Sequence, residues 1–298
     1  MSASGFHEGE RAVQERAGAT EAAGRLHGML QPPWLGGGLR AALAARTFAV
    51  LTARDRDGEL WISPLTGEPG FLAGEGTTLT VAAVPPAGDP LHGLPVPQPA
   101  GLLAIDLGLR RRIRVNGRLT GRTDDALTVE ADQAFGNCPA YIQPRLLAPD
   151  TAAPLLGEPA PVDDRDTLDE HDRGLIARAD TFFLGTTHPT RGTDASHKGG
   201  APGFVRIEGG ELWWPDYAGN NLFTSLGNLT VDPAAALLFL DFATGRTLHL
   251  GGEATVEWLD PAAASDEGGT GRRVRFRPRR VRGGRIALRE ASPAGCST

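Results

Sequence analysis

The sequence predicts a mainly β protein in which one antiparallel β unit, a small Greek-key barrel or sandwich, occurs twice in tandem. Three observations support this fold class. The chain has 298 residues, which is long for a single domain. Its 40 Gly and 23 Pro residues favour many turns and disfavour a bundle of long helices. Ordered blocks of residues also recur at a nearly constant spacing, which indicates an internal repeat.

Two blocks of the first half recur in the second half. The first block recurs 133 positions later, with Ser63, Pro69, Gly70 and Phe71 matched by Ser196, Pro202, Gly203 and Phe204. The second recurs 135 positions later, with Leu102, Leu103, Asp106, Arg111 and Gly117 matched by Leu237, Leu238, Asp241, Arg246 and Gly252. The small difference in spacing indicates a loop insertion. Two similar domains follow from this order of matches.

Short helices and strands are predicted around the repeat. Charge and alanine patterns indicate helices at about 8–28 and 38–46. Thr167 and Glu170 form a candidate capping box, which predicts a helix that runs to about residue 179. Apolar and β-branched runs predict strands at 47–52, 60–63 and 77–82.

The domain boundaries follow from these elements. Residues 1–145 are predicted to hold the N-terminal helices and the first barrel. Residues 146–166 are rich in Pro, Ala and Asp and are predicted to be a linker. Residues 167–298 are predicted to hold the second barrel and an arginine-rich C-terminal strand, for which a solvated strand is favoured over a phosphate-binding surface.

Composition excludes several classes of function. The net charge of -6 argues against nucleic-acid binding. No run approaches the roughly 18–20 apolar residues of a membrane span, so no membrane partner is predicted. Cys138 and Cys296 lie far apart and no signal peptide is evident, which predicts a cytoplasmic protein. Cys138 is predicted to be a buried thiol rather than a nucleophile.

The residues of both halves resemble the FMN-binding split β-barrels of the pyridoxamine 5′-phosphate oxidase superfamily. The resemblance covers about residues 40–258. It is carried in the second half by 196–204, 215–221, Asn228 and 237–252, and in the first half by 61–71, 102–118 and 135–143. It implies two tandem split β-barrels with flavin at their interface. Such a chain would imitate a homodimer internally, and a true homodimer stays open as well.

The resemblance also implies the cofactor-binding residues. In the second half these are Ser196, His197, Lys198, Gly199, Asp216, Tyr217, Asn220, Asn221, Arg246 and Thr247. Backbone amides near Gly199, Gly200 and Gly203 could cradle the flavin phosphate, with tight turns as the alternative. Asn220 and Asn221 stand where the oxidases carry a basic phosphate-binding pair, which leaves Lys198 and Arg246 as the candidate cations.

The first half contributes a further candidate anion site. Strand alternation places Arg112 and Arg114 on one face together with Asn116. These side chains could meet an anion, or they could form a charged face in solvent. The sequence leaves both interpretations open.

No metal site is predicted, because His171, His188, His197 and Asp194 lack the spacing of common ligand sets. The resulting hypothesis is an FMN-binding redox protein acting on an unknown small substrate or a nicotinamide. No side chain is assigned as a catalytic acid or base. A deazaflavin or haem in the same fold, or a non-enzymatic binding module with a degenerate site, stays open. Pyridoxamine phosphate oxidation itself is not favoured. The oxidases that catalyse it end in a substrate-binding motif of Arg and His, and no histidine follows His249 in this chain.

Overall fold

The described residues form two large antiparallel sheets, one of seven and one of eight strands, which meet at an apolar interface, and a small two-stranded sheet. The structure is a computed structural model that describes residues 5–30, 33–137, 139–149, 163–260 and 266–291. The predicted fold class is confirmed: the chain is mostly β, and its two sheets agree with tandem split barrels.

The described residues of the first half form three α-helices and eight strands. The helices are α1 (Glu8–Arg16), α2 (Thr20–Gly24) and α3 (Gly37–Ala44), with a 3₁₀ turn at His27–Leu30. The strands are β1 (Phe48–Arg54), β2 (Leu60–Thr66), β3 (Leu72–Glu75), β4 (Thr78–Val81), β5 (Gln98–Asp106), β6 (Arg111–Arg122), β7 (Leu127–Asn137) and β8 (Leu147–Pro149).

In the second half, the part that the structure describes forms two helices and nine strands. The helices are α4 (Glu170–Arg178) and α5 (Thr224–Val231). The strands are β9 (Asp163–Arg165), β10 (Thr181–His188), β11 (Gly192–Gly199), β12 (Arg206–Glu208), β13 (Glu211–Pro215), β14 (Ala234–Asp241), β15 (Arg246–Trp258), β16 (Arg272–Arg285) and β17 (Leu288–Glu290).

Both main sheets have the same strand order. The first runs β2-β1-β5-β6-β7-β4-β3, and the second runs β11-β10-β14-β15-β16-β13-β12. Each strand of the first sheet therefore has a counterpart at the same place in the second. The sequence repeat falls on these counterparts, since its first block begins in β2 and β11 and its second lies in β5–β6 and β14–β15.

Some predicted elements differ from the structure. The capping box at Thr167 and Glu170 is wrong: Asp169 is the N-cap of α4, and it exchanges hydrogen bonds with Asp172. The helix predicted at 8–28 is two short helices followed by the 3₁₀ turn. Within the predicted linker, β8 pairs with β17 and β9 pairs with β16. Residues 150–162 of that linker, and Cys138 and Cys296, lie outside the described residues.

The arginine-rich strand β16 is largely ion-paired. Arg273 and Arg275 bind Glu257, while Arg280 and Arg282 bind Asp164 of β9. Opposite charges from neighbouring strands thus neutralise much of this surface, in agreement with the solvated strand favoured above. Within the described ranges, no helix is long and apolar enough to cross a membrane.

A separate apolar core joins the two barrels. Phe48 of β1 and Phe183 of β10 pack with ring centroids 5.7 Å apart, within a buried cluster drawn from both sheets. Two glycines permit the close approach of the strands. A Cβ atom on Gly101 would lie 2.7 Å from the backbone of β11, and one on Gly185 would lie 2.5 Å from the Thr52 methyl group. The interface between the barrels is therefore a packed interior.

Candidate functional site

A pocket lies at one end of the interface between the barrels. Strand β6 of the first barrel forms one wall, and the end of β11 and the segment from β13 to the start of α5 form the others. Ten of the twelve predicted cofactor-binding residues line it: Arg112, Arg114, Ser196, His197, Lys198, Gly199, Asp216, Tyr217, Asn220 and Asn221. The structure thus brings candidates from both halves of the sequence into one site.

The pocket carries an excess of positive charge. Arg112, Arg114 and Lys198 line it, and Asp216 is the acidic residue among the described lining residues. Arg272 binds Asp216 with its Nε 2.9 Å from Oδ2, so this carboxylate is already neutralised. The arrangement favours an anionic ligand.

Asp194 holds the β6 wall in place from the second barrel. Its carboxylate lies 3.1 Å from Arg114 Nε, and it accepts hydrogen bonds from Asn116 Nδ2 at 3.1 Å and Ser225 Oγ at 2.9 Å. Asp194 is 1% exposed, so this network is screened little by solvent. One buried carboxylate therefore connects β6, β11 and α5.

His197 presents a hydrogen-bond donor to the pocket. Arg112 Nη1 lies 3.0 Å from His197 Nδ1, and because a guanidinium only donates, Nδ1 must accept and Nε2 carries the proton. Burial, followed by the charges of Arg112 and Lys198, holds the His197 pKa well below its ordinary value of 6.5. The neutral ring is thereby fixed in one tautomer. Its buried Nε2 has no hydrogen-bond partner among the described residues.

Further polar atoms on the pocket wall are buried without a partner. Asn137 Oδ1 and Trp214 Nε1 have no hydrogen-bond partner in the described part of the chain. Unpaired buried polar groups cost free energy, and they mark places where a bound molecule can supply the missing hydrogen bond. Together with His197 Nε2, they offer two donors and one acceptor to a ligand.

Two tyrosines from different halves stack at the pocket. The rings of Tyr141 and Tyr217 lie 5.0 Å apart at an interplanar angle of 19°, and the Tyr141 hydroxyl donates to the Ala218 carbonyl. The pocket encloses about 130 Å³. Typical small-molecule sites have volumes of roughly 300–1,000 Å³. A larger ligand must therefore extend into the open mouth of the pocket.

The segment before α5 has an unusual backbone. Asn221 and Phe223 both have left-handed φ values, of 61° and 58°, which are uncommon outside glycine. The Asn220 side chain supports this backbone, since its Oδ1 accepts a hydrogen bond from the Leu222 amide. Phe223 is the N-cap of α5 and provides no side-chain acceptor for the first turn. The first turn of α5, with Thr224, thus begins at the pocket with uncapped amides.

The glycines after Lys198 also have packing and backbone reasons to be glycine. A Cβ atom on Gly199 would clash with the Tyr141 carbonyl oxygen, and one on Gly200 would meet the Phe204 ring at 2.6 Å. Gly203 has a φ of 83°, which a turn requires. Close packing and a turn are the alternative that the sequence left open.

Arg246 and Thr247 do not lie among the residues that line the pocket. Arg246 binds the buried carboxylate of Asp172 on α4 at 2.8 Å, and the Thr247 hydroxyl is 3.0 Å from His249 Nε2. Both residues lie on β15, the counterpart of β6, so they belong to the symmetry-related end of the interface. The sequence placed them correctly on the equivalent strand but could not show which end is open.

That symmetry-related end is filled by the chain itself. Ser63, the counterpart of Ser196, donates to Asp89 Oδ1 at 2.5 Å. His249 lies 3.9 Å from Asp89 Oδ2, and its Nδ1 is 3.0 Å from the Ile62 carbonyl oxygen. Ser63, Thr247 and His249 are all at most 2% exposed. The two equivalent ends are therefore different: one is a pocket, and the other is a buried polar cluster.

His7, Glu8 and His188 lie close enough together to suggest a metal site. Both histidine Nδ1 atoms, however, accept hydrogen bonds from backbone amides: His7 from Gly9 and Glu10, and His188 from Thr190 and Arg191. A neutral histidine that binds metal through Nε2 needs its proton on Nδ1, where these bonds exclude it. The cluster instead anchors α1, since His188 Nε2 lies 3.1 Å from Glu8 Oε1.

This anchor predicts a pH dependence of stability. Burial, then His188 and Arg191, lowers the pKa of His7 from 6.5 to about 4. Between those values the unfolded chain binds more protons than the folded chain, so stability is present above pH 6.5 and decreases as the pH falls towards 4. Buried His197 and His249 act in the same direction.

We expect His7→Asn, which keeps an N-cap acceptor, to lose less stability than the wild type when urea midpoints at pH 7 and pH 5 are compared. An equal loss in both proteins would contradict this role of His7.

Sequence reasoning missed several pocket residues. Tyr141 and Asn137 line the site but were not assigned to it, and for Trp214 the sequence left a ring contact and a core position equally open. Asn137 ends β7 of the first barrel and Tyr141 follows this strand, and only the packing of the barrels brings them to β11. Trp214 lies in the alternating strand β13, where a core position and a ligand contact give the same pattern.

Comparisons with known proteins find similarity to solved structures over part of the chain. No family model matches the sequence, and no curated protein matches it. Among solved structures, a putative pyridoxamine 5′-phosphate oxidase from Lactobacillus delbrueckii is similar at 16% identity and a TM-score of 0.34, covering 40% of this chain and 97% of its own.

An F420 reductase is similar at 16% identity and a TM-score of 0.27, covering 41% of this chain and 98% of its own. An FAD-binding protein from Mycobacterium smegmatis is similar at 12% identity and a TM-score of 0.27, covering 40% of this chain and 97% of its own. Each neighbour is thus covered almost entirely, while it accounts for about two fifths of this chain.

Proposed function

We propose that the pocket between the barrels binds a flavin-type cofactor, with FMN as the first candidate, and that the chain is a redox protein acting on a small substrate or a nicotinamide. The observation that carries this proposal is the composition of one pocket. It combines cations from both barrels, aromatic side chains and buried polar atoms without partners. A flavin nucleotide needs each of these: a partner for its phosphate, an apolar slot and hydrogen bonds to the ring.

The residues present fit such a group. Arg112, Lys198 and the uncapped first turn of α5 would hold the phosphate, because cations and free helix amides both favour anions. Trp214 and Tyr217 would contact the flat ring.

The His197 Nε2 proton and Asn137 Oδ1 would pair with the polar edge of the ring. A bound flavin supplies the electron-transfer chemistry. The protein binds the cofactor, orients it and excludes water from one side of it.

The first test is the visible spectrum of purified protein, followed by titration with FMN. A flavin spectrum with one FMN per chain supports the proposal, since the second end of the interface is filled by Asp89 and His249. A deazaflavin or a haem would show a different absorption spectrum and would replace FMN in the same pocket. A colourless protein that does not respond to FMN, F420 or haem would refute the cofactor proposal.

A matched pair of variants on β6 tests the location of the site. Arg112 lines the pocket, whereas Arg118 lies on the same strand face outside it and is exposed. We expect Arg112→Gln to weaken FMN binding by about tenfold or more, because a charge-assisted hydrogen bond to phosphate contributes roughly 1.5–3 kcal/mol. Arg118→Gln should leave the dissociation constant unchanged. Equal effects of the two substitutions would show that the phosphate lies elsewhere.

A further inference from the structure

Lys198 is the only lysine in the chain, although the chain has 30 lysine and arginine residues together. Arginine therefore provides the positive charge at every other basic position. The two side chains are not chemically equivalent, because a lysine amine can lose its proton and act as a nucleophile, whereas a guanidinium stays protonated. Lys198 is therefore the only side chain of the protein that carries a primary amine.

The surroundings of Lys198 favour a reactive amine. It is half-buried, and it makes no hydrogen bond or ion pair with any residue that the structure describes. The nearest candidate counter-ions are already engaged, since Asp216 binds Arg272 and Asp194 binds Arg114. Arg112 and Arg114 line the same pocket and add positive charge.

Burial lowers the pKa of Lys198 below its ordinary 10.5, the charges of Arg114 and Arg112 act in the same direction, and the charges of Asp216 and Asp194 oppose the shift. The neutral amine is thus more populated near neutral pH than it is for a lysine in solvent. A lysine that is desolvated and placed beside other cations is a known type of activated nucleophile.

We propose that Lys198 forms an imine with small carbonyl compounds that carry an anionic group. The neutral amine adds to the carbonyl carbon, and the resulting carbinolamine loses water to give the carbon–nitrogen double bond, so no oxidant or reductant is needed. Arg112 and the uncapped start of α5 would bind the anionic group of the ligand. This inference rests on the pocket and goes beyond the proposed cofactor, since it holds whether or not a flavin binds.

Reductive trapping tests the proposal directly. Purified full-length protein is incubated with glyoxylate and cyanoborohydride near pH 7, and the modified sites are identified by peptide mass spectrometry. Because Lys198 is the only lysine, the α-amino group of the chain serves as the internal reference amine. We expect Lys198 to be modified faster than the α-amino group in the folded protein and to lose this advantage in urea.

Four controls separate the possible causes. Lys198→Arg should abolish the adduct at position 198 and leave the adduct at the α-amino group. Circular dichroism should show that this variant stays folded. Arg112→Gln should slow trapping at Lys198 by about tenfold or more, and Arg118→Gln should not. Propanal, a neutral aldehyde, should react more slowly than glyoxylate.

Modification of Lys198 at the same rate in folded and unfolded protein, or no adduct at Lys198, would overturn the proposal. If added FMN protected Lys198 from modification, glyoxylate and FMN would bind in the same pocket. Trapping in a protein that binds neither FMN nor F420 nor haem would support the imine proposal and refute the cofactor proposal, so the two failures are distinguishable.

Discussion

Asp194→Ala should lower the free energy of unfolding by about 3–5 kcal/mol, the usual cost of removing one partner of a buried ion pair. The substitution leaves the largely buried guanidinium of Arg114 without its carboxylate at 3.1 Å. It also removes the acceptor for Asn116 and Ser225. Chemical denaturation monitored by tryptophan fluorescence measures the change, and FMN binding should weaken with it because Arg114 lines the pocket.

Asp164→Ala provides the matched control. Like Asp194, Asp164 is a carboxylate with more than one partner, since it binds two arginines. Both of these partners, however, lie on the partly exposed strand β16. We expect a loss of less than about 1 kcal/mol, since exposed ion pairs contribute little. If both alanine variants lost the same small amount, Asp194 would not hold the barrels together.

Gly101→Val should destabilise the protein by about 1–3 kcal/mol through overpacking between the barrels. The added Cβ would lie 2.7 Å from the Thr193 carbonyl oxygen and the Asp194 carbonyl carbon. Both are backbone atoms of a paired strand, so they cannot rotate away as a flexible side chain would. The measurement is the urea midpoint, together with FMN affinity, because the same strand leads to Lys198.

Gly24→Ala is the control for glycine substitution in general. Gly24 ends α2, and a Cβ atom there meets no heavy atom within 4 Å. We expect this variant to be as stable as the wild type or slightly more stable, because alanine loses less conformational entropy in a helix. If Gly101→Val were as stable as the wild type, the barrels would not be packed closely enough at Gly101 to exclude a side chain.

The sequence could predict the parts of the fold that local patterns determine. The repeat indicated two equivalent sheets, and strand alternation placed Arg112 and Arg114 on one face of β6. What faced these side chains could not be predicted, because Asp194 and His197 reach them only after the barrels pack. The start of α4 was also not predictable from local sequence, because Thr167 and Asp169 both suit an N-cap. In the structure Asp169 caps the helix together with Asp172, whose side chain is bound by Arg165 and Arg246.

The prediction of Arg246 as a ligand residue illustrates the main difficulty. A repeat identifies equivalent positions, but it does not show whether equivalent positions still do the same thing. On β15 the side chains equivalent to those of Arg112 and Arg114 are Thr247 and His249, and both are used in internal hydrogen bonds. Only the three-dimensional contacts distinguish the open end from the closed one.

Fusion of the two barrels into one chain removes a constraint that a homodimer has. In a symmetric dimer every substitution appears in both sites, so a change that closes one site closes the other. Here Asp89 and His249 fill one end, while Lys198 and Arg112 remain at the other. The closed end can therefore contribute stability alone, while the open end keeps buried polar atoms, such as His197 Nε2 and Asn137 Oδ1, that have no hydrogen-bond partner in the described part of the chain. In a single chain, one copy of the fold can serve stability while the other keeps an open pocket. A homodimer must meet both demands in every site.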